Sequence, residues 1–131
     1  MIGKHYIVTG GTSGLGLDIV KQLLKRGAHV TVLARNIEKF NQIDFQNDQK
    51  HVKGIQCNLQ HREDISQLED KINTPVDGLI YSSGLGYFKS IDNYTAEEMI
   101  ETYDVNLIGF NLLYKVLRPQ FVQHAHIIGI S

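Results

Sequence analysis

The sequence predicts a doubly wound α/β fold, with one parallel sheet in the order 3-2-1-4-5 and helices on both faces. Two observations carry the expectation. Short apolar runs alternate with amphipathic segments through all 131 residues. The first run also hands over to the first helical pattern through "TGGTSGLG", which holds four glycines in the seven positions from Gly10 to Gly16. Strands alternating with helices call for a parallel sheet covered on both sides, and right-handed crossovers then leave few topologies. The length suits a single domain spanning residues 1–131.

Each element is legible in its residues. "HYIVTG" is the first strand, rich in β-formers and closed by glycine. Ile19, Val20, Leu23 and Leu24 recur at helical spacing, and Gly27 sits where a helix cap belongs. Ala28 to Arg35 is the second strand, and Asn36 is placed to cap a short helix through Phe40. "NQIDFQNDQKH" is polar and reads as a surface connection to a weaker third strand, "HVKGIQCNL". Ile65, Leu68 and Ile72 mark a helix that ends before Pro75. "VDGLIYSSG" is the fourth strand and "AHIIGIS" the fifth. Between them Thr95 and Glu98 form a capping box that opens the strongest helix signal, which Pro119 ends. Its apolar stripe reads Met99, Tyr103, Leu107, Phe110, Tyr114 and Leu117.

Composition narrows the function classes. A net charge of -1 gives no footprint for nucleic acid or anionic membrane. No apolar run approaches a membrane span, and the N-terminus lacks a secretory leader's apolar region. With one cysteine, Cys57, there is no internal disulfide framework, and the expected location is cytoplasmic. His124 and His126 would share a strand face, but no Cys, Asp or Glu completes a metal set, so no metal site is expected. His5, His29, His51 and His61 read as scattered surface positions.

The glycine turn carries the chemistry. Between a strand and a helix, glycine permits a tight turn and lets a pyrophosphate approach the backbone amides and the positive helix end. Gly10, Gly14 and Gly16 provide that seat in a Rossmann-type setting, with Thr12 and Ser13 offering hydroxyls. No Lys-Ser or Lys-Thr comes after the glycines, which excludes a Walker-type loop. A free ribose 2′-hydroxyl is commonly met by an acid roughly 20 residues past the glycines. Here "LARN" holds that place and no acid occurs between Gly27 and Glu38. Arg35 instead offers a permanent planar cation suited to a 2′-phosphate, which points to NADP rather than NAD.

These residues resemble the short-chain dehydrogenase/reductase family. Thr9 to Gly16 fits its Thr-Gly-x-x-x-Gly-x-Gly motif at the spacing of the shorter, non-extended branch. "VDGLIYSSG" is similar to the strand that ends Asn-Asn-Ala-Gly, with Gly84 the one outright match. "DVNLIGF" resembles the helix bearing the family's asparagine, here Asn106, and "HIIGIS" resembles the strand that leads to the catalytic serine. The resemblance implies that Gly10, Gly14, Leu15 and Gly16 cradle the pyrophosphate and that Arg35, with Ser13 or Thr12, holds the 2′-phosphate. It implies that Asn58 and Leu59 flank the adenine, where the family commonly has Asp, and that Ser82, Ser83 and Gly84 line the adenosine side. Asn106 would bend its helix and hold a water in the proton relay. Ser131 would be either the serine that polarises the substrate carbonyl or its neighbour. Tyr87 and Phe88 would border the substrate or pack against the helix.

The family's Tyr-x-x-x-Lys proton donor does not occur in these residues. The expectation is therefore the cofactor-binding portion of an NADP-dependent oxidoreductase, truncated after the fifth strand, acting on a small carbonyl or alcohol and pairing into a homo-oligomer through the 95–118 helix. The alternatives are a dinucleotide-binding module without turnover and a regulatory dinucleotide sensor.

Overall fold

The computed structural model describes residues 1–83 and 91–130. Along the chain run β1 (His5–Thr9), α1 (Gly14–Lys25), β2 (His29–Ala34), α2 (Ile37–Asn41), β3 (Val52–Gln56), α3 (Arg62–Lys71), β4 (Val76–Tyr81), α4 (Ala96–Tyr103), α5 (Phe110–Leu117) and β5 (Phe121–Gly129). The strands form one parallel sheet in the order β3-β2-β1-β4-β5, as the alternation implied.

Two apolar layers hold the sheet. Val8, Val32 and Ile80 point to the side where Val20, Leu23 and Leu24 of α1 and Phe40 of α2 pack. Their sequence neighbours Ile7, Leu33 and Leu79 point the other way, to Ile65 and Leu68 of α3 and Leu113 and Leu117 of α5. Adjacent strand residues serve opposite faces because the strand repeat is two. Each such side chain contributes about 1.5–3 kcal/mol on burial. Local signals agree with this packing. Asn36 Oδ1 accepts the Lys39 amide at the start of α2. Thr95 and Glu98 close a complete capping box on α4. At the end of α1, Gly27 N donates to the Leu24 carbonyl.

Four expectations need correction. The 95–118 segment is not one regular helix, because Asp104–Gly109 between α4 and α5 is π-helical. A π turn inserts an extra residue and rotates the helix before it relative to the helix after it. A stripe drawn at one period through both halves therefore does not track one face. Leu117 is buried, but Met99, Tyr103, Leu107 and Tyr114 are exposed, and α5 packs instead through Leu113 and Leu117. The connection after α2 is not wholly superficial: Phe45 is buried against Phe40, with ring centroids 5.8 Å apart. His5 is no free surface residue, since its Nδ1 meets the Pro75 carbonyl at 3.1 Å and its Nε2 the Thr31 hydroxyl at 2.8 Å. Burial lowers its pKa, more than the Pro75 carbonyl raises it. Finally, His124 has φ 67° and lies in a register break where two steps on β4, Val76 to Gly78, face five on β5, Phe121 to His126. His124 and His126 thus do not share a strand face through regular pleating.

Candidate functional site

The C-terminal ends of the strands open on a cleft of about 1210 Å³. Its floor is the β1–α1 turn. Gly10 has φ 64°, and a Cβ there would meet the Ser82 carbonyl oxygen at 2.9 Å. At Gly16 a Cβ would lie 2.0 Å from the Gly10 carbonyl oxygen and 2.6 Å from Ser82 Oγ. Glycine at these two positions lets α1 begin against the ends of β1 and β4. The helix N-terminus faces the cleft with Ser13 as N-cap, makes no side-chain cap bond and carries no acid in its first turn. Its uncapped amides and positive dipole end suit an anion.

The β4 side is fixed to this floor by a buried threonine. Thr9, fully buried, accepts through Oγ1 from Ser82 N at 3.1 Å and Ser83 N at 3.2 Å. One hydroxyl thus sets the spacing between β1 and the Ser82–Ser83 lip. On the β2 side, Arg35, Asn36 and Lys39 line the cleft. Arg35 and Lys39 are exposed and form no ion pair with the described residues. Beyond β3, Cys57, Asn58, Leu59 and Gln60 continue the wall. Glu101, Val105, Asn106 and Phe110 close it from the α4–α5 side. Glu101 is the only carboxylate among these lining residues, and Gln60 Nε2 donates to it at 3.1 Å.

Tyr81 anchors the π segment. Its hydroxyl donates to the Val105 carbonyl, and its ring meets Phe110 edge-on at 5.0 Å. Burial first, and Cys57 second, push the phenol up to about 12. Burial likewise pushes the Cys57 thiol up to about 11, so both groups stay protonated near neutrality and are structural in chemistry.

The structure gathers Gly10, Thr12, Ser13, Leu15, Gly16, Arg35, Asn58, Leu59, Ser82, Ser83 and Asn106 around this one cleft. Gly14 opens α1 beside it with φ 54° and does not line it. Gly84, Tyr87, Phe88 and Ser131 lie outside the described residues. Sequence reasoning missed Lys39 and the tethering role of Thr9. Lys39 carried a readable signal: Asn36 caps α2, which turns a side chain four residues beyond Arg35 back to the same lip. Among the described residues, no three His, Cys, Asp or Glu side chains cluster as a metal would need. Nor is any described helix long and apolar enough to cross a membrane.

Known proteins resemble this chain in sequence or in fold. The chain is 32% identical over 122 residues to a 3-ketodihydrosphingosine reductase of Bos taurus, covering 82% of this chain and 35% of that protein. It is 29% identical over 120 residues to a 3-dehydrosphinganine reductase of Arabidopsis thaliana, covering 87% and 35%. An alcohol dehydrogenase structure from the archaeon Thermococcus sibiricus, complexed with 5-hydroxy-NADP, superposes with TM-score 0.82 at 25% identity, covering 89% of this chain and 52% of that one. A short-chain dehydrogenase/reductase from Brucella melitensis shares the fold at TM-score 0.86 and 18% identity, covering 100% and 59%. The chain therefore spans about a third of those two reductases and just over half of those solved structures. Since the family model described as short chain dehydrogenase matches residues 4–131, nearly the whole of it, the chain belongs to the short-chain dehydrogenase family of oxidoreductases.

Proposed function

We propose that this chain forms the NADP seat of an oxidoreductase that interconverts a small carbonyl compound and its alcohol. The observation that carries the reading is the cation pair Arg35 and Lys39 on the β2 lip of the cleft, where no lining carboxylate accompanies them. An acid at that lip would repel a 2′-phosphate, whereas two cations favour it. The amides from Gly10 to Gly16 and the α1 N-terminus hold the pyrophosphate, with Thr12 and Ser13 beside it. The backbone close approach at Gly10 and Gly16 fits that group, because any Cβ there would meet backbone or Ser82 atoms. Asn58 and Leu59 flank the adenine, and Ser82 and Ser83 line the adenosine side with Gly84. Asn106, in the π segment, holds a water facing the cleft. Ser131, or its neighbour, polarises the substrate carbonyl. When bound, the dinucleotide supplies or accepts the hydride.

A second reading, dinucleotide binding without turnover, is favoured by one observation: none of the six tyrosines has a lysine four residues on. Titration with NADPH and NADH, monitored by nicotinamide fluorescence, tests the seat. NADPH is expected to bind about tenfold or more tightly than NADH. Equal affinities would overturn the NADP assignment, and no binding of either would overturn the seat. Carbonyl-dependent NADPH oxidation by these 131 residues would overturn the second reading.

A further inference from the structure

The Asn58 side chain has a settled polarity. The Gln60 backbone amide lies 2.9 Å from Asn58 Oδ1. A backbone amide can only donate, so the atom facing it is the oxygen, and the hydrogen bond itself fixes the amide orientation of Asn58. The rest of the residue is also committed. Asn58 N donates to Asp64 Oδ2 at 2.9 Å, and the Asn58 carbonyl accepts from His61 N at 2.9 Å. These bonds fold residues 58–61 into a turn that leads into α3. There remains Nδ2, a donor that makes no hydrogen bond to the described residues, on a residue that lines the cleft.

Asn58 stands next to the β2 lip. Cys57 N donates to the Ala34 carbonyl at 2.9 Å, so the β3 loop runs directly alongside Arg35. With a pyrophosphate on the glycine turn and a 2′-phosphate on Arg35, the base attached to that ribose reaches outward to the next strand end. Adjacent strands lie about 4.8 Å apart, so that end is the β3 loop. Adenine presents a 6-amino donor on one edge, with acceptors at N1 and N7. A carboxylate at position 58 would accept from the 6-amino group. Nδ2 instead sets donor against donor there, whereas it pairs with N7, an acceptor both purines share, or with a 6-oxo group.

We infer that Asn58 makes the base end of this site donor-presenting, so that it accepts a 6-oxo purine (hypoxanthine) dinucleotide at least as well as the 6-amino form. The inference rests on the NADP reading above. The probes are NADPH and its deamino analogue, reduced nicotinamide hypoxanthine dinucleotide phosphate, titrated by isothermal calorimetry into the unmodified chain and into Asn58→Asp. The unmodified chain binds the deamino form as tightly as NADPH or more tightly. Asn58→Asp keeps an acceptor for Gln60 N and turns the other oxygen to the cleft, so the ratio of the two dissociation constants shifts about tenfold toward NADPH. A tenfold NADPH preference in the unmodified chain would overturn the inference. So would a ratio that Asn58→Asp leaves unchanged. Loss of binding by both dinucleotides to the unmodified chain would instead overturn the NADP reading, on which the inference depends. Should Asn58→Asp fold poorly beside Asp64, Asn58→Ser removes the donating amide, and the deamino form then loses at least threefold relative to NADPH.

Discussion

Consider Gly16→Ala. The added Cβ would start 2.0 Å from the Gly10 carbonyl oxygen and 2.7 Å from its carbon. Real Cβ atoms essentially never approach closer than 3.0 Å, so the helix start and the turn must separate by about 1.0 Å or more. Both Gly10 atoms are backbone, and turning the Ser82 side chain aside, whose Oγ lies at 2.6 Å, does not relieve them. Overpacking of this kind costs about 1–3 kcal/mol, and the better helix propensity of alanine returns at most about 1 kcal/mol. Because backbone must move, the cost falls at the upper end, about 3 kcal/mol, and the net loss near 2 kcal/mol corresponds to a fall in Tm of roughly 6–10 °C for a domain of this size. The same movement spreads the amides that hold the pyrophosphate, so NADPH affinity falls about tenfold or more. Far-UV circular dichroism melts with and without NADPH read both effects, because a ligand that binds only the folded state raises Tm. Gly129→Ala is the control: its Cβ would meet Phe110 Cε2 at an ordinary 3.5 Å, and its melt should shift by no more than about 0.5 kcal/mol. An unchanged melt and an unchanged NADPH shift in Gly16→Ala would refute the close approach of α1 to the turn.

Other perturbations act through the same contacts. Thr9→Val leaves the Ser82 and Ser83 amides without their acceptor and should cost about 1–3 kcal/mol in urea unfolding, with Thr9→Ser restoring most of it; equal stability of all three would remove the tether. Between neutrality and pH 9 stability should hold steady, and it should decline as pH rises towards 11 and 12. Cys57 and Tyr81 have folded pKa values raised from 9.0 to about 11 and from 10.0 to about 12, so their contribution is full below the unfolded values and lost as pH passes the folded ones. A chemical-denaturation series that stays flat to pH 12 would contradict this. Ile100 is 63% exposed, Tyr103 62% and Leu107 49%, and β5 at the sheet edge exposes Ile127 and Ile128. Light scattering should accordingly show concentration-dependent self-association that Ile100→Glu weakens, and a clean monomer at high concentration would count against it.

Much of this was legible because the sheet is parallel and doubly covered. Val30–Leu33 and Leu79–Tyr81 are buried on both faces and, Thr31 apart, apolar, so strands announce themselves as runs, and the glycines between β1 and α1 mark where backbone must approach backbone. Asn36 and the Thr95–Glu98 box were legible because caps are local chemistry. The π segment was not legible in the helical period, since nothing in "DVNLIG" breaks it, and only the resemblance implied a bend at Asn106; its support is tertiary, the Tyr81 hydroxyl donating to the Val105 carbonyl. The exposed stripe on α4 comes from the same blind spot. The His5 contacts were equally hidden, because Pro75 and Thr31 reach it from strands and turns far away in sequence. Lys39 was legible in principle but is separated from Arg35 by a cap whose effect appears only once α2 folds.

The central claim, that the β2 lip selects the phosphorylated dinucleotide, is tested most directly by the dissociation constants of NADPH and NADH for Arg35→Asp beside the unmodified chain. Replacing the guanidinium with a carboxylate removes a charge-assisted contact worth about 1.5–3 kcal/mol and adds repulsion. NADPH affinity is expected to fall about tenfold to a hundredfold while NADH affinity changes less than about threefold. An equal loss for both dinucleotides, or no loss for NADPH, would contradict the account.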